Sequence, residues 1–262
     1  MKKIYIVADM PGVSGISLAE QCRWGHFLWR EARACLASDV NAAIEGAFSG
    51  GADEVVVCDA AGGPGGSLPM ERMDPRALYE TANREQLLPG MADDFAGMFI
   101  VGAHAMAGAA DAFMSHTVDR ETWFRYRLAG RECGEIGMWS AYAGHYGVPL
   151  LLVAGDAAAC REAEDFVPGV AVAAVKQAVA WDRARTLHPT EGAARIRLAC
   201  AEALGLVGKI EPNLIDMPNE AELEYVRCEF ADAAAERQGA ERTGPRSVRR
   251  PLESALDIRK GF

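Results

Sequence analysis

Five polar side chains stand where predicted strands end or a predicted helix begins. Asp9 follows the apolar run IYIV, Asp59 follows EVVVC, and His104 lies within GAHA after a third apolar run. His116 lies in the next loop, within MSHT, and Glu135 opens a helical segment, within GEIG. Because α/β proteins form ligand sites at the carboxyl ends of their strands, we expect folding to bring such side chains together.

The chemistry that these residue types allow is metal-assisted hydrolysis. Carboxylate and imidazole groups are ligands that zinc and manganese take in proteins. A site with few protein ligands leaves positions open for water, and a divalent ion lowers the pKa of that water toward neutrality. A second histidine nearby is suited to moving protons or to stabilising a developing oxyanion.

Each candidate also has a purely structural explanation. Asp9 can cap the loop that follows it, and Asp59 can be a turn carboxylate beside the glycine-rich segment AAGGPGGSLP. His104 can be a hydrogen-bonded core histidine, and Glu135 is favoured at a helix start by the macrodipole. The sequence contains no HExxH, Walker A or GxSxG motif that would decide the question alone.

Composition limits the classes of protein that need consideration. The 262 residues carry a formal net charge of −10, which disfavours a phosphate backbone as partner, so we expect no nucleic-acid binding. The seven cysteines are scattered without a CxxC pair, which argues against a disulfide framework. No apolar stretch approaches the length of a membrane span, and MKKIYIVADM is typical of a first strand. We therefore expect a cytoplasmic protein with no membrane partner.

Short apolar runs alternate with helical patterns along the chain, which predicts an α/β fold: a mostly parallel central sheet flanked by helices, with a smaller C-terminal α+β portion. We place the core domain at residues 1–190 and the C-terminal portion, an oligomer contact or a wall of the substrate cleft, at 191–262. Within that portion the patterns predict a strand over 222–230 and a helix over 252–259, separated by a polar segment, 231–250, that contains glycine and arginine.

Several segments together resemble a known family. The sequence resembles the zinc D-aminopeptidases of the dipeptide-transport-protein type, and the resemblance weakens after about residue 210. The matching segments, in the family's order, are ADMPGVSG (8–15), EVVVCD (54–59), GAHA (102–105), MSHT (114–117), GEIGMWSAYAGHYGVPLLLVAGD (134–156) and PGVAVAAVKQAV (168–179).

The resemblance implies a self-compartmentalising homo-oligomer with a dinuclear zinc site. It implies that Asp9, His104 and Glu135 bind metal and that His116 is catalytic. Two further family ligands are replaced: the glutamate of a D-x-E element is Pro11 here, and a histidine after the second strand is Ala61. Neither side chain offers a donor to a metal, so we expect one divalent ion, zinc or else manganese, with Asp59 as a possible substitute ligand or substrate contact.

The leading hypothesis is therefore a metal-dependent hydrolase of an amide or peptide bond in a small substrate or short peptide, acting as a homo-oligomer. One alternative is a catalytically degenerate relative that binds a small ligand or serves in an assembly. Another is a metal-independent amide hydrolase that uses His116 with Asp59 or Cys133.

Overall fold

The computed structural model describes residues 1–62, 66–83 and 86–262. In chain order, the strands are β1 (Lys3–Ala8), β2 (Glu54–Asp59), β3 (Leu78–Thr81), β4 (Phe95–Ala103), β5 (Trp123–Leu128), β6 (Arg131–Glu132), β7 (Leu150–Asp156), β8 (Ala171–Ala180), β9 (Arg183–Thr186), β10 (Asn219–Tyr225), β11 (Glu241–Arg242) and β12 (Ser247–Leu252). The α-helices are α1 (Trp29–Ser49), α2 (Glu135–His145), α3 (Ala157–Phe166), α4 (Pro189–Ala203) and α5 (Cys228–Ala235).

Two sheets organise the part of the chain that the structure describes. The larger sheet has the order β3-β2-β1-β4-β7-β8-β9, and its neighbouring strands run parallel except for the antiparallel pair β8 and β9. The smaller sheet is antiparallel, with the order β11-β12-β10-β5-β6. The predicted mixed α/β fold, with a mostly parallel sheet between helices, is confirmed.

Alternate side chains of the buried central strands pack into two different hydrophobic cores. On β1, Ile4 and Ile6 pack into a core that contains Leu36 of α1 and Ile196 of α4. The intervening Tyr5 packs into the other core, which includes side chains of α2 and of the smaller sheet. Because successive side chains of a strand point to opposite faces, a strand buried on both faces must be apolar at successive positions, as β1 is from Ile4 to Ala8.

The C-terminal portion differs from its predicted secondary structure. The strand predicted over 222–230 ends at Tyr225, and Cys228 begins α5, whose Ala231 and Ala234 are buried one helical turn apart. The polar segment 231–250 contains β11 and most of β12, and the helix predicted over 252–259 is only a short 3-10 turn, Ala255–Asp257. In β12, Val248 and Leu252 are buried on one face of the strand, because side chains an even number of residues apart point to the same face.

The smaller sheet takes strands from two distant parts of the chain, because β5 lies between β10 and β6. The smaller sheet therefore lies beside the α/β layer, where it can form one side of the cleft at the strand ends of the larger sheet. The domain boundary near residue 190 stays a prediction. Among the described residues, no helix combines the length and the apolar character needed to cross a bilayer.

Candidate metal centre

Asp9 and His104 become neighbours because β1 and β4 are adjacent parallel strands. Each residue directly follows the carboxyl end of its strand, and the backbone N–H of Asp9 donates to the carbonyl of Val101 at 2.8 Å. His104 Nε2 lies 3.2 Å from Asp9 Oδ2, and both side chains are buried. Strand pairing alone thus sets the first contact of the site.

Gly102 allows the two strand ends to approach closely. Its φ is +85°, and a Cβ at this position would lie 1.8 Å from the carbonyl oxygen of Asp9. Gly12, in the loop after β1, donates its N–H to the Gly102 carbonyl at 2.8 Å. Both the backbone conformation and the space at residue 102 therefore require glycine.

Glu135 completes a row of charges from the opposite side. It is the first residue of α2, and its Oε1 accepts a hydrogen bond from the Val118 N–H at 2.8 Å. The same oxygen lies 3.4 Å from His104 Nε2. The imidazole of His104 therefore lies between two carboxylates that come from different elements.

This arrangement sets the charges of the site. Burial lowers the pKa of His104, but Glu135 and Asp9 outweigh that effect and hold the pKa well above its ordinary value. Burial raises the pKa of Glu135, but the charge of His104 and hydrogen bonds from His104 and Val118 bring it down to about 2. Without a metal, a proton on His104 supplies the positive charge between the two acids.

His116 stacks on His104 with ring centroids 3.8 Å apart and planes 9° from parallel. Its Nδ1 lies 2.7 Å from the carbonyl oxygen of Met114, so Nδ1 carries the proton and Nε2 keeps its lone pair. His104 Nδ1 likewise lies 3.1 Å from the carbonyl oxygen of Ala105. Burial, followed by the charge of His104, lowers the pKa of His116, which favours its neutral form.

The donor set fits a divalent ion. Ligand atoms of His104, His116 and Glu135 all lie within 4.8 Å of one another, a group that does not include Asp9. Asp9 Oδ1 accepts from the Met10 N–H at 2.7 Å, whereas the only partner of its buried Oδ2 within the described part of the chain is the ion-paired His104 Nε2 at 3.2 Å. A metal ion that displaced the proton of His104 would take over the balance of this buried charge.

The residues that replace two family ligands border the same space. A cavity of about 250 Å³ is lined by Asp9, Pro11, Ala61 and His116, among others. A second cavity of about 190 Å³ is lined by Asp9, Ala61, His116 and Glu135, with Trp139 on one wall. Asp9 and His116 line both cavities, and Pro11 and Ala61 contribute no ligand atom.

Two other sequence candidates lie outside this cluster. Asp59 Oδ2 accepts hydrogen bonds from the backbone N–H groups of Ser67 and Leu68, which matches its interpretation as a turn carboxylate. Asp59 lines neither of the cavities that Asp9 and His116 share. The Cys133 thiol is buried, donates to the Gly134 carbonyl at 3.1 Å and has its pKa raised by that burial, so it is not an activated nucleophile.

Strained backbone around His116 was not foreseen from the sequence. Met114 and Val118, two residues to either side, have φ of +49° and +58°. A β-branched residue rarely adopts this left-handed conformation, and such strain collects at functional sites. At Val118 the conformation directs an N–H at Glu135, and at Met114 it accompanies the carbonyl that holds His116.

Buried charges behind the site were also missed. Lys176 of β8 is 4% exposed, and its Nζ donates to the carbonyls of Pro11 and Ile16, both at 2.7 Å. Glu162 of α3 accepts from the Met106 N–H at 2.7 Å through Oε2, and burial raises its pKa to about 7. Both residues stand within helix or strand patterns, where nothing local distinguishes them from surface charges.

Two carboxylates and two histidines gathered beside the strand ends of a mostly parallel sheet are typical of a metal-dependent hydrolase with an α/β fold. Comparison with known proteins gives the particular family. The sequence profile of the D-aminopeptidase family matches residues 1–262. The chain belongs to that family, and it is an enzyme that hydrolyses peptide bonds.

Two relatives give the extent of the similarity. A D-aminopeptidase of Bacillus subtilis is 31% identical over 212 residues, which cover 80% of this chain and 76% of the relative. The solved structure of the Zn-dependent D-aminopeptidase DppA from Bacillus subtilis, described as a self-compartmentalizing protease, matches with a TM-score of 0.93. That match has 28% identity and covers 99% of this chain and 94% of the other.

Proposed function

We propose that this chain cleaves an amide or peptide bond of a small substrate with one divalent ion, by preference zinc, held by Asp9, His104 and Glu135. The observation that carries the proposal is His104 Nε2, which lies 3.2 Å from Asp9 Oδ2 and 3.4 Å from Glu135 Oε1. The similar DppA is described as Zn-dependent, which supports zinc. Nitrogen and oxygen donors of these types also accept manganese.

Each proposed ligand is oriented by a backbone group. The N–H of Met10 binds one oxygen of Asp9, the N–H of Val118 binds Glu135, and the carbonyl of Ala105 fixes the His104 tautomer that presents Nε2. These backbone hydrogen bonds reduce the rearrangement of the ligand side chains that metal binding would otherwise require. The ion, when bound, supplies Lewis acidity toward the substrate carbonyl and toward water.

His116 serves best as the proton-transferring group. Its Nδ1–H is held by the Met114 carbonyl, so Nε2 is available to accept a proton and then return it to the leaving amine. The lowered pKa keeps this imidazole neutral near neutral pH. Because His116 also lies within the group able to hold an ion, its role as base or as ligand must be separated by experiment.

The substitutions at Pro11 and Ala61 support an altered site. Both residues border the cavity beside Asp9 and His116, where side-chain donors would be needed for a second ion. A single ion must share with His116 the tasks that two ions would divide. We infer that substrate preference has shifted from that of family members with two ions, toward another small amide.

The same substitutions favour a second candidate function. A relative that has lost catalysis would keep the cleft and bind a small ligand there, or serve in an assembly. The contacts of Asp9, Glu135 and His116 with the one imidazole of His104 speak for the enzyme, because a binding site has no need of so many buried ionisable groups around a single side chain.

Similarity to a family member supports self-association of this chain. The description of DppA as self-compartmentalizing supports a homo-oligomer for this chain as well. Its acidic composition and the apolar residues exposed on its surface are compatible with such an assembly. A cytoplasmic location stays a prediction from composition.

The test is metal analysis combined with a substrate screen. Purified protein is expected to contain about one divalent ion per chain and to hydrolyse members of a panel of D- and L-aminoacyl amides and dipeptides. His116→Ala should lose nearly all activity and keep the ion. Its matched control is His145→Ala, which removes an exposed histidine from the last turn of α2 and should change neither quantity.

Three results would contradict parts of this proposal. Full activity after exhaustive chelation would exclude metal-dependent catalysis. Loss of the ion in His116→Ala would make His116 a ligand instead of a proton shuttle. Stoichiometric metal without hydrolysis of any panel member, together with saturable binding of one, would favour the non-catalytic function.

A further inference from the structure

Lys176 of β8 is a buried cation that binds the loop carrying Asp9. Its Nζ donates to the carbonyls of Pro11 and Ile16, both at 2.7 Å. These two acceptors belong to residues 9–16, which we call the aspartate loop. Because a lysine is almost never fully buried unless its charge is paired, an ammonium that is 4% exposed in this place calls for an explanation.

The same ammonium contacts a second loop of the site. Nζ lies 4.9 Å from the centroid of the Phe113 ring, a distance at which an aromatic face attracts a cation. Phe113 belongs to residues 113–118, which we call the histidine loop, because this segment carries His116 and the Met114 carbonyl that holds the His116 ring. One side chain of β8 therefore contacts both loops.

We propose that Lys176 is a positioning residue that holds the aspartate loop and the histidine loop in one fixed arrangement, and so sets the distance between Asp9 and His116. The inference deepens the proposed function and rests on it, since this distance matters only if Asp9 binds the ion and His116 transfers the proton. A misplacement of about 1 Å between such groups can lower a rate by about 100-fold.

The two loops line the same space. Asp9 and Pro11 of the aspartate loop border the cavity of about 250 Å³, and so do His116 and Val118 of the histidine loop. A shift of one loop against the other would therefore change the shape of the cavity as well as the separation of the two functional side chains. A link between the loops, placed behind the cavity wall, prevents that shift without occupying the space of a substrate.

Two buried acids reinforce the link, one for each loop. Asp39 of α1 accepts hydrogen bonds from the N–H and the hydroxyl of Ser14 in the aspartate loop, both at 2.6 Å. Asp156, the last residue of β7, accepts a hydrogen bond from the Phe113 N–H of the histidine loop at 2.8 Å. Both acids are fully buried, and the charges of both act on Lys176. Lys176 is thus the cation between two acids that each bind one loop.

Lys176 is charged at neutral pH in spite of its burial. Burial lowers its pKa to about 8, and nearby acidic groups, among them Asp39 and Asp156, oppose a larger fall. Hydrogen bonds from a charged donor are roughly twice as strong as those from a neutral donor. The carbonyls of Pro11 and Ile16 therefore receive strong hydrogen bonds that an apolar side chain of similar length could not supply.

Two further contacts of the aspartate loop fix it to the larger sheet. The Gly12 N–H donates to the Gly102 carbonyl of β4 at 2.8 Å, and the Gly15 N–H donates to Thr186 Oγ1 of β9 at 2.9 Å. Neither of these two partners belongs to residues 113–118. They hold the aspartate loop against the strands, whereas Lys176 connects it with the histidine loop.

The experiment compares wild type with Lys176→Met, which keeps the length of the side chain but removes the charge and the donors. Zinc affinity is measured by calorimetric titration of the metal-free proteins, and kinetics are measured at saturating zinc with the best substrate of the panel. We expect Lys176→Met to weaken zinc binding and to lower kcat, each by about 10- to 100-fold, with little change in KM. Lys176→Arg keeps a charge and donors and should recover part of both losses.

Phe113→Leu tests the contact with the histidine loop separately. It removes the aromatic face beside Nζ, whereas the hydrogen bonds of Lys176 to the aspartate loop stay available. We expect zinc affinity close to that of wild type and a lower kcat, because the variant loosens the loop of His116 and leaves the loop of Asp9 in place. A Phe113→Leu enzyme with wild-type kcat would remove the histidine loop from the proposal.

Leu223→Ala is the matched control for a general loss of stability. It truncates a fully buried side chain of β10 in the smaller sheet and should lower the unfolding temperature without changing zinc affinity or kcat. Equal losses of zinc affinity and kcat in Leu223→Ala and Lys176→Met would mean that Lys176 only supports the fold. Wild-type zinc affinity and kcat in a folded Lys176→Met protein would overturn the inference outright.

Hydrogen exchange keeps the inference testable if the proposed function fails. A wild-type protein that neither binds zinc nor hydrolyses any panel member would refute the proposed function by itself. Amide exchange of the aspartate and histidine loops in the metal-free proteins then decides the role of Lys176. Faster exchange of both loops in Lys176→Met than in Leu223→Ala would support the link, and equal exchange would refute it.

Discussion

The imidazole rings of His104 and His116 lie face to face, with their centroids 3.8 Å apart. Two cationic rings at this separation would repel each other, so the pair holds one positive charge in the absence of metal. The carboxylates of Asp9 and Glu135 direct that charge to His104, since both lie within 3.4 Å of its Nε2. A metal ion must therefore displace a proton in order to bind.

Metal binding should release about one proton per ion at pH 7. The pKa of His104 lies well above its ordinary value in the metal-free protein, whereas its Nε2 must be deprotonated to coordinate. The measurement is calorimetric titration of zinc in buffers of different ionisation enthalpy, with affinity expected to rise as pH rises. A titration without proton release would mean that His104 stays protonated and is not a ligand.

The left-handed conformation of Val118 should lower the stability of the protein and raise its activity. Its φ of +58° costs a residue with a Cβ about 1–2 kcal/mol relative to glycine. We expect Val118→Gly to be more stable than Val118→Ala by about 1 kcal/mol, because both lose the side-chain methyl groups but only glycine relieves the strain. Thermal unfolding of the two variants measures the difference.

The activities of Val118→Gly and Val118→Ala should rank in the opposite order to their stabilities. The Val118 N–H holds Glu135 Oε1 at 2.8 Å, and a freely rotating glycine would hold it less well. We expect a lower kcat for Val118→Gly than for Val118→Ala at saturating zinc. A glycine variant that is more stable and equally active would show that the strained backbone has no part in positioning Glu135.

Restoring the two family ligands should change the metal stoichiometry. Pro11 and Ala61 border the cavity beside Asp9, so Pro11→Glu combined with Ala61→His returns two donors to that space. We expect bound zinc to rise from about one to about two ions per chain, as determined by elemental analysis. The single variants serve as controls, and two ions in the unaltered protein would refute the mononuclear site.

Glu162 should make the metal-free protein less stable as pH rises. Burial raises its pKa from 4.5 to about 7, so between these values the folded state binds more protons than the unfolded state. Stability contributed by its protonated form is therefore full below pH 4.5 and declines up to about pH 7. A shift of this size corresponds to roughly 3 kcal/mol at most.

Glu162→Gln tests this dependence because it keeps the shape of the side chain and cannot ionise. We expect the variant to be more stable than wild type at pH 8 and close to it at pH 4.5, in denaturant unfolding with chelator present. Parallel curves for the two proteins from pH 4.5 to 8 would show that Glu162 does not titrate in this range.

The sequence predicted the central sheet well because its strands are apolar on both faces and its helices have clear periodicity. The strand predicted at 4–7 and the helix predicted at 29–48 agree within two residues with β1 and α1. Once β1 and β4 are adjacent parallel strands, their pairing alone brings Asp9 and His104 together. The assignment of metal roles to these residues stays a prediction.

The features that the sequence did not reveal depend on tertiary context. Valine does not encode a left-handed backbone, so the conformation of Val118 is imposed by its surroundings. Arg259 lines the cavity of about 190 Å³ beside Asp9 and Glu135 only because the chain returns past Tyr126 near residue 258. Residues 228–235 contain both helical and strand signals, and packing of Ala231 and Ala234 decides for the helix.

The location of Phe262 has a practical consequence for work with this protein. Its ring lies edge-on to Trp123 and Tyr126, with centroids 6.0 and 5.8 Å away, and it lines a cavity of about 720 Å³. A purification tag joined directly after this residue is therefore expected to disturb the packing of these three rings and the wall of that cavity. Met1 is 88% exposed and precedes β1, at the edge of the sheet opposite the strand ends that carry the site, so a tag belongs there.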